Sequence, residues 1–126
     1  IAGGIGITPL MSMLRHMRDT RAERRVLLLF ANRTEEDIAF RDELAAMEAG
    51  AQPQLKAVHI FDKPDDDWRG EKGRLDAPMI ERLCGGDLPQ RAFYVCAPPA
   101  LMDVVIKCLR THGVPAKNIH FERFNL

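Results

Sequence analysis

The sequence predicts an α/β domain, in which a parallel β-sheet is covered by helices on both faces. Short, almost continuous apolar runs such as residues 25–31 ("RVLLLFA") indicate strands that are buried on both faces. Segments with apolar residues at helical spacing alternate with these runs. A helix between two strands carries the chain back to the end of the sheet at which the first strand began. The alternation therefore predicts that the strands run parallel.

Composition limits the function classes. The 126 residues are 46% hydrophobic, which is enough for one domain with its own core. Their formal net charge of zero argues against nucleic acid or an anionic membrane as the main partner, and no apolar run has the length of a membrane span. Three cysteines without CxxC spacing predict reduced thiols and a cytoplasmic setting. Four scattered histidines predict no metal site.

The first half of the chain contains two predicted helices. The first should begin at Thr8, a good N-cap residue, with Pro9 at the first helical position. A second helix, closed by Gly50, should follow the capping box of Thr34 and Asp37. The first helix has an apolar stripe at helical spacing, formed by Leu10, Met13, Leu14 and Met17.

The second half continues the alternation. Asp76 can cap a short helix that runs to Leu83. The pair Pro98 and Pro99 opens the last helix, which Gly113 stops. The other segments are predicted as strands at residues 55–61, 92–96 and 118–124, and as a polar loop at residues 62–73.

The sequence begins at Ile1, directly before a glycine-rich turn, so the first strand of the predicted sheet is largely missing. We interpret the chain as a fragment, or as one whose earlier residues are not included. Unpaired neighbours along a central strand are costly. We therefore expect this strand to be absent or supplied by another chain, and the isolated piece to be only marginally stable.

The glycine-rich turn lies within residues 2–14 ("AGGIGITPLMSML"). Gly4 and Gly6 allow backbone N–H groups to approach phosphate oxygens, aided by the dipole of the following helix. Pro9 replaces the third glycine of the common dinucleotide-binding fingerprint, and no Gly-Lys-Ser/Thr follows as in a Walker loop. Taken alone, the motif is also compatible with a tight turn that binds no ligand.

Three segments, in this order and spacing, resemble the nicotinamide-binding domain of the ferredoxin–NADP reductase superfamily: "AGGIGITP", "YVCAPPALM" and "FERF". Residues 30–44 ("FANRTEEDIAFRDEL") are similar to NADH-dependent cytochrome reductases and to the reductase domain of nitrate reductase. The resemblance implies a Rossmann-like fold and assigns residues 1–126 to an NAD(P)H-binding domain, with the flavin-binding domain not included. It implies hydride transfer from NADH, or from NADPH, to FAD or FMN.

The resemblance also implies roles for individual residues. In the family, the glycine turn binds the pyrophosphate, a cysteine lies beside the nicotinamide, and a near-terminal Glu-x-aromatic supports hydride transfer and covers the flavin. Alternatives remain open, because Cys96 can be a core residue and Phe124 can simply fill the sheet edge. The matching positions are Gly4, Gly6, Thr8 and Pro9 for the pyrophosphate, and Cys96, Glu122 and Phe124 for catalysis.

Further cofactor contacts are predicted at Asn32, Arg33, Ala97 and Pro98, where Ala97 replaces the family's usual glycine. Arg33 as a solvated side chain is the alternative. Asp62 favours NADH, because a carboxylate accepts hydrogen bonds from ribose hydroxyls and repels a phosphate dianion. A simple loop carboxylate remains the other interpretation.

Two other classes of function compete with a reductase domain. One is a regulatory module that binds nucleotide without passing hydride. The other is a phosphate-binding α/β domain of another class, but the sequence has no GxSxG elbow and no convincing acidic cluster at strand ends. The expected partner is a flavin-binding domain of the same protein, and the sequence does not identify the downstream acceptor as iron–sulfur, haem or ferric.

Overall fold

The computed structural model describes residues 1–122. These residues form one α/β structure, in which helices cover both faces of a single sheet. The strands are β1 (Ala2–Gly3), β2 (Arg25–Asn32), β3 (Gln54–Phe61), β4 (Glu71–Lys72), β5 (Phe93–Cys96) and β6 (Ile119–Glu122). The helices are α1 (Ile7–Asp19), α2 (Arg41–Ala49), α3 (Ala77–Cys84) and α4 (Pro99–Thr111). The strands pair in the order β4-β3-β2-β1-β5-β6, and every pair is parallel.

Both faces of the sheet are covered, as the apolar runs predict. Alternate residues of β2 point to opposite faces: Leu28 and Phe30 join the cluster beneath α1 and α2, whereas Leu29 joins the cluster beneath α3 and α4. All three side chains are at most 3% exposed. This arrangement confirms the predicted fold class.

The expectation that β1 is absent or supplied by another chain is wrong, because Ala2 and Gly3 of this chain form it. β1 lies in the centre of the sheet although it has only two residues. Ala2 pairs with Phe30 of β2 on one side and with Cys96 of β5 on the other. The backbone of Ile1 extends the second pairing, because its N–H group donates to Tyr94 O and its carbonyl accepts from Cys96 N. The chain then leaves β1 towards β2 and β3 on one side and returns on the other side at β5, so β1 is the switch point of the topology.

The predicted start of the first helix is wrong by two residues, since Thr8 was expected as the N-cap and Pro9 as the first helical residue. Residues Gly4–Gly6 form a 3-10 turn that leads straight into α1 at Ile7, with Gly6 in the N-cap position. The Thr8 hydroxyl does not cap the helix, since it donates to Ile5 O at 3.0 Å.

The capping box of Thr34 and Asp37 is present, but it closes a different element from the one predicted. The Asp37 carboxylate accepts from the Thr34 backbone N–H and hydroxyl, and the enclosed turn Glu35–Asp37 is a 3-10 turn. The chain is extended again at Ile38, and α2 begins only after Phe40, whose φ of +59° is left-handed. Both apolar side chains pack on the α1–α2 core, which explains the delayed start.

Three further predictions meet the structure in different ways. The Asp76 cap is confirmed, because its carboxylate accepts from Met79 N at 3.0 Å. The polar loop is not irregular throughout, since β4 at its end pairs with Ile60 and Phe61. The last strand is described as far as Glu122, and Phe124 lies outside the described residues.

Candidate functional site

The glycine turn and the end of β5 are in direct contact at the carboxyl edge of the sheet. A Cβ atom on Gly6 would lie 2.1 Å from the carbonyl oxygen of Cys96, which is far inside van der Waals contact. A Cβ atom on Gly3 would lie 3.0 Å from Pro98 Cδ and 3.2 Å from Ala97 Cβ. The two motifs that the sequence separates by about ninety residues therefore form one surface.

The middle of the turn is open to a ligand. Gly4 has a left-handed φ of +54°, and a Cβ atom there would meet nothing within 4 Å. The next residue, Ile5, is 62% exposed. Because α1 begins immediately afterwards, its unpaired N–H groups and the positive end of its dipole belong to the same place. A loop of this kind suits an anionic diphosphate.

Thr8 and Pro9 stabilise the turn from within the first turn of α1. The Thr8 hydroxyl is already bonded to Ile5 O, which ties the helix to the loop. Pro9 lacks an N–H group at a position where an intrahelical partner is not available. These two residues therefore hold the shape of the loop.

Cys96 ends β5 on the other side of the edge, where its backbone carbonyl contacts the glycine turn. The residue is 1% exposed, and burial raises the pKa of its thiol, with the negative charge of Glu122 adding to the rise. Glu122 is the register partner of Cys96 on β6 and is itself exposed. A neutral thiol is a poor nucleophile, so the chemistry that fits this cysteine is close packing rather than attack on a substrate.

The ends of β2 and β3 bring four polar residues together. Their backbones continue the ladder past the strands, because Asp62 N donates to Asn32 O at 3.1 Å and Lys63 N donates to Arg33 O at 2.8 Å. The Asn32 side chain is buried, and its Nδ2 has no hydrogen-bond partner among residues 1–122. An unsatisfied buried donor costs about 1–3 kcal/mol, and a ligand acceptor would satisfy it.

The predicted residues are spread along the edge rather than gathered at one point. The order β3-β2-β1-β5 puts Asp62 at one end, the glycine turn in the middle and Cys96 at the other end. Three strand spacings amount to about 14 Å. A dinucleotide, which carries its diphosphate between a ribose-adenine end and a nicotinamide end, fits this linear order.

Other features of the described residues lie elsewhere or carry no such chemistry. A cavity of about 690 Å³ opens at the opposite, amino end of the strands and is lined in part by Arg25, Lys56 and Arg91. Within residues 1–122, no group of His, Cys, Asp and Glu is arranged to hold a metal ion. No helix in that range is long and apolar enough to cross a membrane.

Two residues without a predicted role belong to the frame of the site. Gly3 contacts the end of β5. Its place in the run "AGG" was the only feature of the sequence that indicated such a contact. The rings of Trp68 and Phe61 pack in a T-shaped contact with centroids 4.6 Å apart, next to the backbone that carries Asp62. No spacing pattern links Trp68 to the edge, because the contact depends on how the loop folds back.

Comparison with known proteins agrees with this geometry. Residues 1–107 match the family described as the oxidoreductase NAD-binding domain. The chain is 40% identical over 104 residues to NADH-cytochrome b5 reductase 2 of Mus musculus, covering 82% of this chain and 38% of that protein. It is 36% identical over 124 residues to nitrate reductase [NADPH] of Emericella nidulans, covering 96% of this chain and 14% of that protein.

A solved structure shows the same fold. The cytochrome b5 reductase domain of Ulva prolifera nitrate reductase superimposes with a TM-score of 0.84 at 27% identity, covering 96% of this chain and 46% of that one. The chain thus spans less than half the length of each of these relatives. On the family match and these similarities, the chain belongs to the oxidoreductase NAD-binding domains of the ferredoxin–NADP reductase superfamily.

Proposed function

We propose that residues 1–126 are the NAD(P)H-binding part of a flavin-dependent reductase, and that they deliver hydride from NADH to FAD or FMN held by another part of the protein. The observation that carries this proposal is the contact between the glycine turn and the Cys96–Pro98 segment at the switch point of the sheet. Binding alone would need only the turn. The neutral cysteine with a carboxylate on the neighbouring strand supplies a place for the reactive ring.

The residues divide the work of binding between them. The turn around Gly4 and Gly6 presents backbone N–H groups to the diphosphate, and Thr8 and Pro9 keep that turn in shape. Asn32 donates its unsatisfied amide to an acceptor of the bound nucleotide. Arg33 and Asp62 lie at the ribose-adenine end. The wall at the opposite end is formed by Cys96, Ala97 and Pro98.

The nicotinamide supplies the hydride and the flavin accepts it, so the protein contributes orientation and electrostatics. The Cys96 thiol, whose pKa is raised by burial and by the Glu122 charge, would pack as a neutral group beside a bound nicotinamide ring. The Glu122 carboxylate would place a negative charge beside a nicotinamide ring bound there, which would favour the positively charged, oxidised form of that ring. For Phe124, outside the described residues, we propose the family role of covering the flavin until the nicotinamide arrives.

We propose NADH as the preferred donor, because Asp62 would repel the extra phosphate of NADPH. Lys63 offers a competing attraction, and the named relatives include an NADH-dependent and an NADPH-dependent enzyme. From the similarity to a cytochrome b5 reductase, we propose a haem protein or haem domain as the downstream acceptor. Iron–sulfur and ferric acceptors are the alternatives.

The decisive experiment follows flavin bleaching in the intact reductase, anaerobically, after mixing with NADH. In Cys96→Ala we expect flavin reduction to slow about tenfold, while the dissociation constant for NAD⁺ changes less than about threefold, because the thiol orients the ring rather than anchoring the nucleotide. Cys108→Ala is the matched control, since this buried cysteine lies on α4 away from the edge.

Two outcomes would contradict the proposal. If NADH binds but the flavin of the wild-type protein never bleaches, the chain is a regulatory module. If Cys96→Ala and Cys108→Ala reduce flavin at the same rate, Cys96 is only a core residue.

A further inference from the structure

The segment that follows β3, residues 62–72, forms a closed loop on the end of that strand, and we name it the Trp68 loop. It leaves β3 with the Lys63 N–H group bonded to Arg33 O at 2.8 Å. It returns through β4, and the Gly73 N–H group donates to Phe61 O at 2.8 Å. Both ends of the loop are therefore anchored within two residues of Asp62.

The interior of the loop is filled by one ring. The Trp68 indole N–H donates to Glu71 O at 2.9 Å, and the ring meets Phe61 edge to face at 72°. A Cβ atom on Gly70 would lie 2.3 Å from the Trp68 ring, so only glycine allows the ring to lie this close. The loop thus has a small packed core of its own.

A second contact fixes the returning end. Glu71 and Arg82 on α3 form a two-bonded ion pair, with nitrogen–oxygen distances of 2.8 and 2.7 Å. This pairing with Arg82 lowers the pKa of the Glu71 carboxyl group. The ion pair connects β4 to α3. Trp68, which is hydrogen-bonded to Glu71 and packs on Phe61, connects the rest of the loop to β3.

The side chains that face the nucleotide end of this loop have no comparable support. Asp62 and Lys63 are both exposed, and neither side chain has a hydrogen bond or ion pair in the part of the chain that the structure describes. Their positions are set by their backbone alone. The contacts that hold the loop backbone therefore also determine the positions of the Asp62 and Lys63 charges.

We propose that Trp68, together with the Glu71–Arg82 pair, is a positioning element for nucleotide selectivity. It holds Asp62 where its charge opposes a 2′-phosphate and keeps Lys63 from taking that place. This inference rests on the proposed function, in which Asp62 selects NADH. Loosening the loop lets Asp62 withdraw and Lys63 approach the phosphate, so NADP⁺ binding improves relative to NAD⁺ binding.

The test uses the intact reductase and two kinds of variant. Trp68→Leu removes the ring and its N–H donor, and Trp68→Phe keeps an aromatic ring without the donor. Arg82→Gln breaks the exposed ion pair on the loop side. Arg15→Gln is its matched control, because Arg15 makes an equally short two-bonded pair with Glu43 between α1 and α2.

Calorimetry gives the dissociation constants for NAD⁺ and NADP⁺, and amide hydrogen exchange gives the protection of the Asp62 and Lys63 N–H groups without any ligand. We expect Trp68→Leu and Arg82→Gln to reduce the preference for NAD⁺ about fivefold and to speed exchange at both amides. For Trp68→Phe, both the NAD⁺ preference and the exchange rates should lie between those of these variants and those of wild type. Arg15→Gln should change neither the NAD⁺ preference nor the exchange rates of the two amides.

An unchanged NAD⁺ preference in Trp68→Leu and Arg82→Gln, whatever their melting temperature, would overturn the inference. Asp62→Ser in the same series separates the two proposals. If Asp62→Ser shifts the preference and the loop variants do not, only the positioning role fails. If Asp62→Ser also leaves the preference unchanged, the selectivity assigned to Asp62 fails and the inference fails with it.

Discussion

At the residue scale, the two glycines of the turn have opposite requirements. Gly6 lies against the carbonyl of Cys96, whereas Gly4 faces open space in a left-handed conformation. Gly6→Ala should therefore lower the free energy of unfolding by roughly 2–3 kcal/mol, because backbone must move to admit the methyl group. Gly4→Ala should cost only about 1 kcal/mol. Urea unfolding measures both values.

The same pair separates folding from binding. The methyl group of Gly4→Ala enters the space assigned to the diphosphate, so we expect NAD⁺ to bind at least about tenfold more weakly although the protein remains folded. Calorimetry with NAD⁺ decides the point. Undiminished binding by Gly4→Ala would mean that the diphosphate does not lie over the turn.

His59 gives the fold a predictable response to acid. Its half-buried ring lies between Phe30 and Phe61, and its Nδ1 has no partner among the described residues. Burial lowers the pKa of this histidine, with Glu48 opposing the shift and Arg41 adding to it. Because the folded pKa is below the unfolded one, the stabilisation is complete above about pH 6.5 and is lost as the pH falls.

His59→Phe removes this titration and extends the aromatic row on β2 and β3. We expect the fall in the free energy of unfolding between pH 7 and pH 5 to be shallower in the variant than in wild type. Urea unfolding at a series of pH values measures the slope. Parallel slopes would show that His59 does not contribute to the acid response.

Sequence motifs indicate the places of some residues in the fold but not of others. The positions of Gly4, Gly6 and Cys96 could be inferred from their motifs, because backbone requirements at strand ends leave a local pattern. The unsatisfied amide of Asn32 has no such pattern, since its burial depends on neighbouring strands. The side-chain bond of Thr8 was misassigned because an N-cap residue and a residue within the first turn have the same composition.

At the scale of elements, the clearest local prediction concerns the start of α3. Asp76 accepts from Met79 N, which satisfies one of the unpaired N–H groups of this helix. Asp76→Ala should lower the free energy of unfolding by about 1 kcal/mol, whereas Asp76→Asn keeps an acceptor and should lose only a few tenths. Urea unfolding compares the two. Equal losses would indicate that the charge, and not the bond, stabilises the helix.

Element boundaries were predictable where local chemistry decides them. β2 and β3 match the predicted runs to within one residue, because long apolar runs define both strands. The α2 start could not be predicted in the same way, since a capping box also closes a single 3-10 turn. The two residues of β4 lack any strand pattern and become a strand only by pairing with Ile60 and Phe61.

At the scale of the whole molecule, alternation of strands and helices was enough to predict the parallel sheet, but the strand order came only with the structure. That order spreads the candidate contacts along one edge, with Asp62 far from Cys96. We therefore expect Asp62→Ser to raise kcat/KM for NADPH relative to NADH about tenfold in the intact reductase, with little effect on the hydride step.

Asp67→Ser, a loss of the same charge within the Trp68 loop, is the control for this change. Steady-state kinetics with both nucleotides gives the ratio. An equal shift in the two variants would mean that net negative charge near the edge matters, and not the place of Asp62.

The contact of Gly6 with the Cys96 carbonyl also constrains how such a domain can be altered. The glycine turn and the end of β5 are remote in sequence but pack closely against each other, so neither can be exchanged alone. Grafting the turn into an unrelated scaffold would transfer a loop deprived of the surface that shapes it. Engineers who swap cofactor preference between reductases should therefore transplant both stretches as a unit.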